Sequence, residues 1–246
     1  MKLSTLSSAV IVAALTVGVL APTTALAQER ELDSTGTVIV TEGGGEEVPG
    51  VIDPENPEVP IDPVDPPVIN PDLGSLMIEA VTNLEFGEIQ TSANEVKTYA
   101  NPVALNNGEA RGSIVQWRDI RSGGTFGYTI TADLTQQFTG SSGNSLNGAT
   151  IDYSNGFAVA DASNTNTEPS LVAPAFQLSE SGGAQTVVTA DRALEEGKGR
   201  FVMAFGDSRE NTDANSVQLT VPAATASNMA VDTYTAKVTW KITAAA

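Results

Sequence analysis

A chain of 246 residues with 30 carboxylates, 12 basic side chains and a net charge of −18 has no electrostatic basis for binding nucleic-acid phosphates. It contains neither histidine nor cysteine, which removes Ser-His-Asp and Cys-His nucleophile pairs, makes a zinc site unexpected and leaves the fold without disulfides. Aromatic residues are 5% of the chain, too few for a sugar-cleaving cleft, so the composition predicts a non-enzymatic protein without a cofactor.

The first 27 residues have the form of a secretory signal. Lys2 supplies the charge, Ala9 to Leu20 the apolar run, and Ala25-Leu26-Ala27 the small-x-small cleavage site, so the secreted chain is expected to begin at Gln28. The run is too short to span a bilayer and Pro22 breaks it, so no membrane insertion is expected once the signal is removed. Loss of Lys2 leaves 11 basic side chains against 30 carboxylates, a net −19.

Residues 28–72 form an acidic segment with twelve carboxylates and one basic residue, Arg30. From Pro49 to Asp72, 8 of 24 residues are proline, and Asp-Pro recurs at Asp53, Asp62 and Asp65. Such a composition favours polyproline II over a packed core. The segment is therefore expected to be a disordered, stiff spacer whose removal leaves the melting of the domain unchanged.

Residues 73–246 are expected to be one domain. Leu76 to Ile78, Ile114 to Trp117, and Tyr128, Ile130, Ala132 and Leu134 begin a series of short apolar runs. Phe176 with Leu178, Arg200 to Phe205 and Val217 to Val221 continue it, with Gly, Asn, Asp and Ser between. Ala190 to Glu196 has the composition of one or two helical turns, and Asn144 to Gly156 reads as a loop. In the last run, Tyr234, Ala236, Val238, Trp240 and Ile242 fall on one face and Thr235, Lys237, Thr239, Lys241 and Thr243 on the other. This period of two marks a half-buried strand. Many short strands between turns predict an all-β antiparallel sandwich of the Ig-like, Greek-key type.

Several segments together resemble the WxL-domain proteins, surface proteins of Gram-positive bacteria. Val217 to Pro222, a short spacer, and Tyr234 to Ile242 are similar to the distal motif of that family, with Ile242 in place of its leucine. Leu84-Glu85-Phe86-Gly87 resembles its opening strand, and Val115 to Arg121 the segment before its proximal motif. Where the family has Gly-Trp-x-Leu, this chain has Gly127-Tyr128-Thr129-Ile130. The resemblance implies non-covalent attachment to the cell wall, with peptidoglycan or another wall polymer as ligand. Location would be extracellular, at the cell surface. An alternative is a protein–protein module that assembles with an anchored surface protein and reaches the wall indirectly.

As inward-facing residues of strands, Trp240 and Tyr128, with Ile242 and Ile130, are expected in the core, with wall binding as the alternative role of these motif positions. Trp117, beside Arg118, has the character of a strand-end residue able to stack on a sugar, which makes the two candidate ligand contacts. Lys237 and Lys241, on the outward face of the last strand, are the other pair. The carboxylates of 207–213 match no metal motif, and no metal site is expected.

Overall fold

The computed structural model describes residues 34–44, 48 and 50–245; the expected signal lies outside them, as do residues 28–33, 45–47 and 49 of the expected spacer. Val40 to Ala246 form one compact unit. Of the unit before it, residues 34–39 are described; they are exposed and belong to no strand or helix.

The elements begin with β1 (Ile52–Asp53), β2 (Asn56–Pro60), β3 (Val68–Ile69), β4 (Leu76–Val81), β5 (Val96–Tyr99), β6 (Val103–Ala104) and β7 (Ala110–Arg111). The longer β8 (Ser113–Asp119) and β9 (Tyr128–Gly140) follow, then β10 (Thr150–Tyr153), β11 (Gly156–Ala160), β12 (Leu171–Val172), β13 (Phe176–Ser179), β14 (Gln185–Ala190) and β15 (Gly199–Phe205). After a 3-10 turn at Ser208–Glu210 come β16 (Val217–Val221), the one-turn α1 (Ala223–Ala226) and β17 (Tyr234–Ala244). All pairings are antiparallel. The three larger sheets have the orders β13-β10-β16-β5, β11-β15-β8-β4-β3 and β12-β14-β9-β17.

These sheets enclose one main core. Alternation supplies it: Tyr128, Ile130, Ala132 and Leu134 of β9 point inward, as do Phe201, Met203 and Phe205 of β15 and Trp117 of β8. The sequence therefore read the antiparallel sandwich correctly. The central β8 is buried at every position because its sheet is covered on both faces. On the second face a smaller cluster gathers Ile114, Val202 and Ala204 with Val51, Ile52, Ile61 and Leu105.

That second cluster moves the domain boundary. The sandwich does not start at residue 73: residues 50–61, expected in the spacer, are packed on it. Ile52 and Ile61 are buried, and the Ile52 amide donates to Gln116 Oε1 at 2.7 Å while Gln116 Nε2 donates to the Gly50 carbonyl at 3.0 Å. Arg111 grips Asp53 through both Nε and Nη2 at 2.7 Å. Proline density hid the apolar anchors Val51, Ile52 and Ile61 and one buried ion pair, enough to fix a short hairpin, β1–β2. The segment's Pro57 and Pro60 lie on β2, which pairs with β1 alone, where a missing ladder donor is tolerated.

Three smaller expectations also change. Asn144 to Gly156, read as a loop, contains β10 and the start of β11. Leu84 to Gly87 lies outside any strand, although Phe86 packs edge-on against Phe138 with centroids 5.8 Å apart. Ala190 to Glu196 makes no helix: Glu195 has φ +55°, and the Glu196 carboxylate accepts from the Ser170 and Asp191 amides at 2.8 Å.

Candidate functional site

The two motif segments lie side by side. β9 and β17 pair so that Tyr128 faces Ala244, Ile130 faces Ile242 and Ala132 faces Trp240. Gly127 turns the chain into β9 with φ +79°, and a Cβ there would come within 2.8 Å of the Arg192 amide, so the tight entry needs glycine.

Tyr128 and Trp117 form one buried unit. Both are 0% exposed, and the Trp117 indole donates from Nε1 to the Tyr128 hydroxyl at 2.6 Å. Trp117 also stacks on Phe201, with centroids 5.8 Å apart and planes 18° from parallel. Burial pushes the Tyr128 phenol above its ordinary pKa, so it stays a neutral acceptor.

Trp117 therefore cannot stack on a sugar, and its assignment as a ligand contact is withdrawn. Arg118 goes with it: 2% exposed, it donates from Nε to the Gly74 carbonyl at 3.0 Å and lies 3.4 Å from Glu79. Alternation along β8 sends both side chains into packed layers.

Trp240 sits differently. It is half-buried, edge-on to Tyr153 and Phe176 at 6.1 and 6.2 Å, and tilted on Phe205 at 6.2 Å. It fills the open margin of the core rather than its centre.

A buried carboxylate links the motif ends. Asp119 is 0% exposed and accepts from Arg121 Nε at 2.9 Å, Arg121 Nη2 at 2.7 Å and Lys198 Nζ at 3.1 Å. Burial alone would raise its pKa; the hydrogen bonds from Arg121, then Lys198, more than reverse this and hold it below the ordinary value. Arg121 Nη2 donates onward to the Gly127 carbonyl at 2.9 Å, which also receives the Ala245 amide at 3.0 Å. Thus one ion pair holds both the entry to the proximal motif and the exit from the distal one. The sequence placed Asp119 and Arg121 near the motif, but Lys198, 79 residues later, had no signal that could find it.

On the opposite side of β9 and β17 lies a polar face. Thr129, Thr131, Asp133 and Thr135 alternate out of β9, and Thr235, Lys237, Thr239, Lys241 and Thr243 out of β17. Thr135 and Thr239 hydroxyls meet at 2.7 Å across the strands. Lys237 and Lys241 are exposed. Of the ten basic side chains among the described residues, seven are paired to carboxylates; Lys237, Lys241 and Arg192 have no such partner there. These lysines are the candidate site residues that remain accessible.

Other concavities carry engaged charge. A groove of about 1040 Å³ is lined by Asp53, Glu55, Glu109, Arg111 and Arg209 among others. Its guanidiniums already bind Asp53, Glu109 and Asp207, and Glu55 accepts from the Ser208 amide and hydroxyl at 2.7 and 2.6 Å. The loop 207–213 is closed by the same contacts. Among the described residues, no three acidic side chains are grouped as metal ligands would be, and no helix is long and apolar enough to cross a membrane.

A family model described as WxL domain surface cell wall-binding matches residues 27–245. No curated protein and no solved structure matches the chain.

Proposed function

The chain belongs to the WxL domain surface cell wall-binding family, and on that premise we propose that it is secreted and held on the wall non-covalently through the outer face of β9 and β17. The observation that carries this reading is the pair of exposed lysines, without a carboxylate partner among the described residues, on the sheet that bears both motif segments, in a chain whose net charge is −18. Peptidoglycan stem peptides present carboxylates along an extended, hydroxyl-rich polymer. A flat row of threonines punctuated by Lys237 and Lys241 is complementary to both features: hydroxyls meet hydroxyls and amides, and ammonium groups meet carboxylates. Trp117, Arg118 and Tyr128 serve this role only by holding the strands in place.

Binding of this kind needs no nucleophile, metal or cofactor, in keeping with a chain without histidine or cysteine. The reading is of an adhesive module rather than an enzyme. It is tested by retention on purified peptidoglycan stripped of protein and secondary polymers, at low and at moderate salt. The intact chain is expected to be retained, less so as salt rises, because exposed charge pairs are screened. The double substitution Lys237→Ala and Lys241→Ala is expected to abolish retention without changing the melting temperature. Retention of the double variant equal to that of the parent would move the contact surface elsewhere. No retention of the parent would favour attachment through an anchored protein partner.

A further inference from the structure

The sandwich is unfinished along β17. In its sheet β17 lies at the end of the order, with β9 as its one hydrogen-bonded neighbour. The inward residues of β9 from Tyr128 to Leu134 are 0–2% exposed. Every inward residue of β17, from Tyr234 to Ile242, is only half-buried. An eleven-residue edge therefore offers a row of backbone donors and acceptors beside an apolar margin that β4 of the facing sheet covers only in part.

The N-terminal arm has the opposite deficiency. Thr37-Val38-Ile39-Val40-Thr41 is β-branched at all five positions and contains no proline or glycine. It belongs to no strand, and Val38, Ile39 and Val40 are 84, 86 and 82% exposed. A run of this kind has a strong preference for sheet and a cost for remaining in water. Its flanks are acidic, with Glu29, Glu31 and Asp33 on one side and Glu42 on the other. The edge of β17 carries Lys237 and Lys241, two of the three basic side chains without a carboxylate partner among the described residues.

We infer that Thr37–Thr41 of one copy adds as a strand to the free edge of β17 in a second copy. Side-chain alternation then turns Val38 and Val40 toward the margin formed by Val238, Trp240 and Ile242, and leaves Thr37, Ile39 and Thr41 continuing the threonine face. The occupant is a second copy because, in its own chain, the arm is anchored where the Ser122 amide and hydroxyl donate to Glu42, and Val38 to Val40 are left exposed there. Each copy gives one arm and accepts another, so the contact joins copies by strand exchange.

The test uses the natural absence of cysteine. Two differently tagged preparations of the chain from Gln28 onward carry Thr41→Cys and Thr243→Cys respectively, and are mixed and treated with a short bismaleimide. Mixed cross-linked dimers are expected. They should be lost when the arm also carries Ile39→Pro, which removes a strand donor from an exposed position and should leave the melting temperature unchanged. A control acceptor, Leu194→Cys, sits on an exposed turn and should give none. The inference is overturned if the control cross-links equally, if Ile39→Pro has no effect, or if both cysteines placed in one chain join only within a monomer. None of these readouts requires wall material, so failure here leaves the wall-binding reading standing.

Discussion

The Trp117–Tyr128 contact replaces a motif tryptophan by two residues that meet in the core. The tyrosine supplies the hydroxyl and the tryptophan, eleven positions earlier, supplies the indole. Tyr128→Phe keeps the ring but leaves a buried N–H without an acceptor, which is expected to cost about 1–3 kcal/mol in denaturant unfolding. Trp240→Ala opens the margin rather than the centre of the core, so its cost should fall near the low end for large aromatics, about 3 kcal/mol. Comparing the two by chemical denaturation checks the order of burial. The inward placement of Tyr128 was legible in the period of β9. That of Trp117 was missed, because Gln116 and Arg118 on the other face made β8 look like an exposed strand end, whereas the strand is buried on both faces. A buried glutamine and arginine there look like solvent-facing residues until Gln116 is seen holding the Gly50 carbonyl and Arg118 the Gly74 carbonyl.

At the scale of elements, the β1–β2 hairpin shows how few contacts can fix a segment whose composition argues against order. Its anchors are Val51, Ile52, Ile61 and the bidentate Asp53–Arg111 pair. Removing Asp53 still leaves Arg111 paired with Glu109 at 2.8 Å and 3.6 Å from Glu55, so Asp53→Ala is expected to destabilise the domain by the loss of charged hydrogen bonds, about 1.5–3 kcal/mol, read by thermal or denaturant melting. An unchanged melting point would return the hairpin to the status of a spacer. Composition is an average over a window, and a few well-placed side chains do not move it. The strands of the sandwich were legible for the converse reason: alternation is repeated over many residues. β17 was the clearest of them, yet its being an edge was invisible, since strand order depends on partners distant in sequence.

For the molecule as a whole, acidity matters less than where the carboxylates sit. Burial would raise Asp53, but hydrogen bonds from Arg111 and from the Glu55 amide hold it below its ordinary pKa, as Arg121 does for Asp119. Depressed carboxylates contribute stability that is complete above their unfolded value and is lost as pH falls through the folded one. The melting temperature should therefore be nearly flat from about pH 7 to 5 and fall below about pH 4, checked by melting across that range. A fall already evident well above pH 5 would contradict this assignment. Asp232, held at about 2 by the Ser142 amide and hydroxyl and by Ser141, is exposed and should follow the same direction with little weight.

The pairing of β9 with β17 joins positions about a hundred apart, such as Thr135 and Thr239. Strands so distant must wait for one another: β9 is made about a hundred residues before β17, and one of its edges stays unpaired until Ala244 has followed. Long-range pairing of this kind is slow. A chain arranged in this way closes into its sheet only after the distal strand is available, and until then one edge of β9 stays open. Its topology thus acts as a timer, delaying the folded state until synthesis has reached the last strand.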